Sequence, residues 1–426
     1  MAHDPGVVGG ALDSIDLTDL DLFTDGFPHP VFARLRRDAP VFRHRPTTHT
    51  PGAEGFWVLT RYADVQAVAA DAVAFSSDGS AQRPTGGGTL IEDLPGGYAA
   101  GVLLNMMDDP RHQRIRKLVT PSVAPRALAS MEPELRQRTA AILDGVAERG
   151  SCDFLIEVAA ELPLQAIARL MGVPQEDRHS LLGWANATLD HDDHDLGEPT
   201  AATQAAGAAM FDYGARLIAE KRSRPGGDVI SVVANAEVAA GNGPVGEPAP
   251  LEDLEVQMFF NLLIAAGSET TRNSIAGGVI AFMDHPDQWR AVQRDRSLLG
   301  PAVEEILRYT SSTTYNRRTA TRDVEIGGNL IRRGDKVTLW WASANHDDEV
   351  FADPQAFDVR REPNRHLAFG HGAHFCLGAA LARLEMRVMF DALLDRFDRI
   401  EPDGPHEWTR SNKHTGLRHL PVRLVP

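Results

Sequence analysis

Residues 251–283 carry the longest run of helical periodicity in this 426-residue chain, and they limit what it can become. At 1.5 Å per residue such a helix spans roughly 50 Å, the width of a whole domain, before Pro286 stops it. A rod of that length needs other helices to cover it. The chain supplies helical patterns at residues 132–148, 155–171, 176–189 and 201–222. Arg224-Pro225-Gly226-Gly227 then ends the last of these ahead of a helix opened by Asp228. The N-terminal part is mixed, with helices expected at residues 28–37 and 62–70 and a strand at 56–60. Nothing resembles an interdomain linker. The expected fold is mainly α with a smaller β-rich region, a single domain over 1–426 in which residues 1–27 form a flexible N-terminal segment.

Leu262-Leu263-Ile264-Ala265-Ala266 is strongly apolar, but Asn261, Ser268, Glu269, Thr270 and Thr271 interrupt the long helix and argue against a membrane span. Gly267 lacks a side chain, and the Thr270 hydroxyl can bond the Ala266 carbonyl four residues earlier. Both features loosen the backbone ladder and make room for water or oxygen. Alone, this reads as a core helix weakened by glycine.

A second feature changes that reading: Phe369-Gly370-His371-Gly372-Ala373-His374-Phe375-Cys376-Leu377-Gly378 opens a helix with expected inward positions Leu377, Leu381, Leu384 and Val388. The helix N-terminus would direct partial positive charge at the Cys376 sulfur and favour thiolate. Gly370 and Gly372 permit a tight turn, and Gly378 allows close approach to a flat ligand. A zinc cluster of His371, His374 and Cys376 is the competing metal reading, and it lacks a fourth ligand.

Phe-Gly-x-Gly-x-His-x-Cys-x-Gly resembles the haem-binding loop of the cytochrome P450 monooxygenases. The resemblance extends from about Pro28 to the C-terminus with its motifs in order. It implies the cytochrome P450 fold, with haem b as cofactor and Cys376 as its iron ligand. Phe369, Gly370, Gly378 and Ala266 would also border the cofactor. Ala266-Gly267-Ser268-Glu269-Thr270-Thr271 resembles the family's oxygen-activation motif, implying that Thr270 hydrogen-bonds dioxygen while Glu269 relays protons. That intact pair favours a monooxygenase over a peroxide-using relative.

Asp109-Pro110-Arg111-His112 starts a helix that puts His112 and Arg116 on one face, a geometry suited to carboxylates. By resemblance these two, with Arg318 and His374, meet the haem propionates. Arg114 and Lys117 would face outward and attract an acidic electron donor. Glu305 and Arg308 match the family's Glu-x-x-Arg signature, with Arg361 completing a structural network.

For the substrate, Phe259, Phe260, Leu263 and Ala266 are expected to form an apolar wall, and Thr313, Thr314, Tyr315 and Asn316 polar contacts. The Gly-, Ser- and Pro-rich residues 76–105 are expected as a long, mobile loop serving as lid. Ser312 stands where relatives often have proline, and Asn345-His346-Asp347-Asp348 also departs from the family pattern. The implied reaction is hydroxylation or epoxidation of a medium-to-large, mostly apolar steroid, lipid, terpenoid or polyketide/macrolide, including tailoring in secondary metabolism. The alternative, a haem-binding sensor or non-catalytic recruitment module, would not need Glu269 and Thr270.

Composition narrows the partners. Lys and Arg total 43 against 59 Asp and Glu, a net charge of −16 that argues against sequence-independent nucleic-acid binding. The first 25 residues have neither a basic start nor an apolar run, so a cytoplasmic monomer without a membrane anchor is expected. Without an iron–sulfur or nucleotide-binding segment, electrons are expected from a ferredoxin and its NAD(P)H-dependent reductase. Cys152, the other cysteine, reads as an ordinary thiol. Asp190-His191-Asp192-Asp193-His194-Asp195 could bind a divalent metal but reads as a solvated loop.

Overall fold

The computed structural model describes residues 11–188, 200–239 and 247–426; the acidic run 190–195 lies outside the described residues. The first helices are α1 (His29–Asp38), α2 (Tyr62–Ala70) and α3 (Arg111–Val119). They are followed by α4 (Glu132–Ala147), α5 (Glu161–Met171), α6 (Arg178–Thr188), α7 (Ala201–Ser223) and α8 (Val229–Ala234). The second half contributes α9 (Asp253–Asp284), α10 (Pro286–Arg294), α11 (Leu299–Thr310) and α12 (Ala379–Arg396). The run expected at 155–171 splits into a π-helical turn, Leu155–Ala159, and α5.

The long rod is α9. A reciprocal capping box of Glu252 and Glu255 satisfies its first N–H groups, and the chain turns at His285 before Pro286. It is buried nearly all round, from Val256 to Phe282. At Gly278, a Cβ would lie 2.7 Å from Phe390 and 2.9 Å from Ile306, so the missing side chain lets α11 and α12 pack against it. Gly267 has a different job from the one expected. A Cβ there would meet Ile167 of α5 at 2.7 Å, so this glycine serves helix packing rather than an opening for oxygen.

Strands β1 (Val41–His44), β2 (Phe56–Leu59) and β3 (Phe75–Ser76) precede β4 (Ser151–Asp153), β5 (Tyr315–Ala320) and β6 (Lys336–Trp340). The main sheet has the order β1-β2-β6-β5-β3, with β6 parallel to β2 and antiparallel to β5. Alternation sends Val41, Leu59, Val337 and Leu339 to one face and Phe42, Val58 and Trp340 to the other. The second face is covered by Ile15, Leu17, Phe23 and Phe27, all buried. Residues 11–27 are thus packed rather than flexible, because their apolar side chains finish the sheet. Leu17 also donates its N–H to His44 Nε2 at 3.0 Å.

β7 (Arg399–Pro402) and β10 (Pro421–Val425) pair with β4 in a smaller sheet, and β8 (Glu407–Trp408) with β9 (Leu417–His419) makes a hairpin. Cys152, within β4, is buried, and burial pushes its thiol up to about 12. Among the described residues, no helix is long and apolar enough to cross a membrane.

Candidate active site

Cys376 closes a backbone turn just before α12. Gly370 and Gly372 take φ values of +70° and +74°, and a Cβ on Gly372 would strike the Ala69 carbonyl at 2.4 Å. Cys376 donates its N–H to the Phe369 carbonyl at 2.8 Å, while the backbone N–H groups of Gly378 and Ala379 point at its sulfur. Gly378 would bring a Cβ within 4.0 Å of that sulfur alone. The helix then buries Leu381, Leu384 and Val388; Leu377 is partly buried and packs against a different apolar cluster. The expected tilt toward thiolate does not hold for the protein alone. Burial pushes the thiol up, and the two N–H groups, Arg116 and Arg383 offset only part of it.

Cys376 is deeply enclosed and yet exposed, and its neighbour Phe375 has 41 % of its surface open. Both statements hold if the sulfur faces an internal space. Ala266 is likewise exposed, midway along the otherwise buried α9.

Four cationic or imidazole side chains converge beside the turn. The His112 and His374 rings lie with centroids 4.1 Å apart and planes tilted by 33°, and Arg116 donates to the Phe375 carbonyl. His112 Nδ1 lies 3.0 Å from Asp109, whereas its Nε2 is buried without a partner. Arg318 is buried on β5, and its side chain donates only to the Arg317 carbonyl, at 2.9 Å, among the described residues. Burial lowers the Arg318 guanidinium to about 10. His374 falls to about 2 through burial, then the charges of Arg318, His112 and Arg116. Such a cluster is short of anions and suited to binding them. Among the described residues, no three His, Cys, Asp or Glu side chains gather as a metal site, so the zinc reading fails.

On α9, the Thr270 hydroxyl donates to the Ala266 carbonyl at 2.9 Å, as expected from the spacing. Glu269 is buried, with His414 Nδ1 3.9 Å from its carboxylate. Leu263, Ala266 and Thr270 form a partly open stripe at helical spacing.

Comparison with known proteins decides the family. Residues 202–424 match the cytochrome P450 family model. Cytochrome P450 126 of Mycobacterium tuberculosis is 49 % identical over 97 % of this chain and 98 % of its own length. The chain belongs to the cytochrome P450 family. A steroid C26-monooxygenase of Rhodococcus jostii is 36 % identical over 96 % of this P450 and 84 % of the relative. A linalool 8-monooxygenase of Pseudomonas putida is 34 % identical, covering 96 % and 99 %. A Mycobacterium marinum cytochrome P450 solved with pseudoionone superposes with a TM-score of 0.87 at 34 % identity, covering 97 % of this chain and 99 % of that one.

This P450 is a monooxygenase whose family binds haem b, and its residues fit that group. The enclosed but open Cys376, the unpartnered His112 Nε2 and the Arg318 guanidinium without a carboxylate match a flat ligand carrying two anionic arms. Glu305, Arg308 and Arg361 meet as expected, with Arg308 on Glu305 at 2.8 Å and Arg361 on Glu305 at 3.1 Å.

The substrate contacts need correction. Phe260 is fully buried, with Tyr213 and Gly214 of α7 against it, and Phe259 is nearly so. Thr314 is buried with its hydroxyl on the Asn412 carbonyl, and Tyr315 turns into the sheet core beside Trp340. Leu263, Thr313 and Asn316 remain partly open. Arg114 does not simply face solvent, since it donates to the Ala239 carbonyl at 3.2 Å, whereas Lys117 is exposed.

Loop 76–105 is fastened rather than mobile. Arg83 bridges Glu54 and Asp93, Arg317 bonds Asp93 at 2.7 Å, and Ile91 is buried. Sequence reasoning missed Arg383 and Glu304, which pair at 2.7 Å while the guanidinium covers the Phe369 ring at 4.5 Å and steadies the cysteine turn. It also missed Lys413, which reaches the Tyr315 carbonyl at 2.7 Å only through the fold.

Proposed function

We propose that this P450 hydroxylates or epoxidises a medium-to-large, mostly apolar organic molecule of the steroid, lipid, terpenoid or polyketide class. One observation carries the reading: an enclosed cysteine that keeps open surface lies beside two guanidiniums, Arg116 and Arg318, and two imidazoles, His112 and His374. Haem, when bound, supplies the activation of dioxygen that puts one oxygen atom into the substrate and releases the other as water.

The chain's own residues do the rest. Cys376 provides the thiolate ligand, and the N–H groups of Gly378 and Ala379 stabilise its charge. His112 Nε2, Arg116, Arg318 and His374 bind the cofactor's carboxylates. Phe369, Gly370, Gly378 and Ala266 border its ring. The Thr270 hydroxyl, parked on the Ala266 carbonyl, turns to hydrogen-bond oxygen, and Glu269 passes it a proton from solvent. Glu305, Arg308 and Arg361 hold the scaffold beneath the cysteine turn. Electrons arrive from a separate ferredoxin and its NAD(P)H-dependent reductase, and the protein works as a cytoplasmic monomer of one catalytic domain.

The relatives named for steroid and linalool oxidation support the substrate class. The test is the reduced carbonmonoxide spectrum of the purified protein, followed by titration of the ferric form with steroids, fatty acids, terpenoids and macrolides. A thiolate-type band that Cys376→Ser abolishes, with a spin-state shift for one class, is expected. Native protein without that band would defeat the reading.

A further inference from the structure

Two consecutive carboxylates on α11 serve different partners. Glu305 belongs to the frame with Arg308 and Arg361, whereas Glu304 turns to α12 and accepts from Nε and Nη2 of Arg383 at 2.7 and 2.8 Å. A two-pronged grip of this kind fixes the plane of the guanidinium and leaves its face free to cover an aromatic ring. That ring is Phe369, with its centroid 4.5 Å from the guanidinium carbon. The Phe369 carbonyl in turn accepts the Cys376 N–H at 2.8 Å. Arg383 stands in the second turn of α12, close enough for its charge to be felt at the Cys376 sulfur.

Both members of the pair are ionised. Burial would raise the Glu304 carboxyl, but hydrogen bonds from Arg383 and His366 and the charges of those two residues hold it down at about 2. His366 Nε2 lies 3.1 Å from Glu304 and its Nδ1 accepts the Ala368 N–H at 3.3 Å, so a neutral ring with its proton on Nε2 meets both. The side chains of Arg383 and Glu304 are 33 % and 31 % exposed, in contrast to the fully buried Arg308 and Glu305. A pair that open to water contributes little to stability. What it does retain is a fixed charge on each side of neutral beside the cysteine turn, and charge acts at a distance.

We propose that Arg383 and Glu304 set the electron affinity of the haem iron held by Cys376, the arginine favouring reduction and the glutamate restraining it. The inference rests on the haem-thiolate reading above. The step is the passage of one electron from the external donor to ferric iron, giving ferrous iron with no atom or proton transferred. The added negative charge is stabilised by a nearby cation and opposed by a nearby anion. Both are positioning residues, which hold charge and ring beside the ligand without entering the reaction.

Equilibrium reduction of the purified holoprotein, followed anaerobically by its spectrum near neutral pH, tests the pair without turnover. At a fixed potential, Arg383→Gln should raise the ferric-to-ferrous ratio about fivefold, the upper end for a partly exposed charge. Glu304→Gln should lower it by about the same factor. Arg383→Lys keeps the charge and should stay within about twofold of native. Opposite signs are the signature, because a cysteine turn that merely loosened would move both glutamine variants the same way. Shifts of the same sign, shifts below about twofold in both, or a lysine variant displaced as far as the glutamine one overturn the proposal. Where Arg383→Gln does not hold haem, Glu304→Gln alone decides: a raised or unchanged ratio overturns it. Loss of haem from both would place the pair in the frame and also overturn it. Native protein without a thiolate-type carbonmonoxide band would defeat the underlying reading instead, whereas that band without the opposed shifts defeats this proposal alone.

Discussion

Two buried ion networks flank the site, and they are built differently. Beneath the cysteine turn, all five N–H donors of Arg308 are used, on Glu305 and on the carbonyls of Asn345, Pro354 and Ala356. Glu305 accepts further bonds from Arg361, Asn364 and the Asp358 N–H. Under the loop at residues 76–105, Arg317 bonds Asp93, the Glu92 carbonyl and Thr319, and its Nε is left over. Glu54, at the edge of that network, is 42 % exposed in its side chain. A closed network holds a frame in one geometry. An incomplete one fastens a loop while leaving polar capacity for something else to fill.

The largest test of this contrast is Glu305→Gln. Removing the charge that balances two arginines should cost about 3–5 kcal/mol, seen as lost soluble holoprotein or a collapsed thermal midpoint. A loss below about 1 kcal/mol would mean that the network is not the frame. Next comes Thr270→Ala, which leaves both networks intact. Product formation should fall by roughly 10²-fold, the low end for a positioned proton-transfer group, with hydrogen peroxide released in place of product. Full product yield per NADPH would remove Thr270 and Glu269 from the proton path.

Asp93 gives the loop network a pH signature. Burial would raise its carboxyl, but hydrogen bonds from Arg83 and Thr85 and the charges of Arg317 and Lys336 outweigh it and hold the carboxyl well below the ordinary range. A depressed folded value gives stability that is complete above the unfolded value of about 4 and lost as pH falls below it. Unfolding followed from pH 6 downward should therefore cost the native protein about 2 kcal/mol more than Asp93→Asn. Parallel curves would show that the loop does not depend on this charge. Gly267→Ala presses a methyl on Ile167 and should destabilise by about 1–3 kcal/mol. Gly300→Ala meets nothing within 4 Å and should be neutral or stabilising by up to about 1 kcal/mol.

The cysteine side was legible because its parts lie close together in the chain. The turn from Phe369 to Gly378, the pair His112 and Arg116, and the Thr270 bond to Ala266 all depend on spacings of a few residues, which helix and turn geometry translate directly into contacts. The substrate side was misread for the opposite reason. Phe259, Phe260, Thr314 and Tyr315 have residue types suited to a cavity wall, but α7, the 412–415 tip and Trp340 cover them. The loop at 76–105 looked mobile from its glycines, while the arginines and lysine that fasten it come from β5, β6 and its own first turn. Apolar residues 15–27 likewise gave no local sign that a sheet face was waiting for them.

Local periodicity and turn chemistry settled by themselves that α9 is a long central rod, that Cys376 ends a glycine turn before a helix, and that a Glu-Thr pair interrupts an apolar helix. These depend on neighbours within about one or two helical turns. The tertiary structure alone decided which side chains face open space, and it brought His112 of α3 within 4.1 Å of the His374 ring at the cysteine turn. Burial and charge balance are sums over segments from the whole chain, and no short window of sequence contains them.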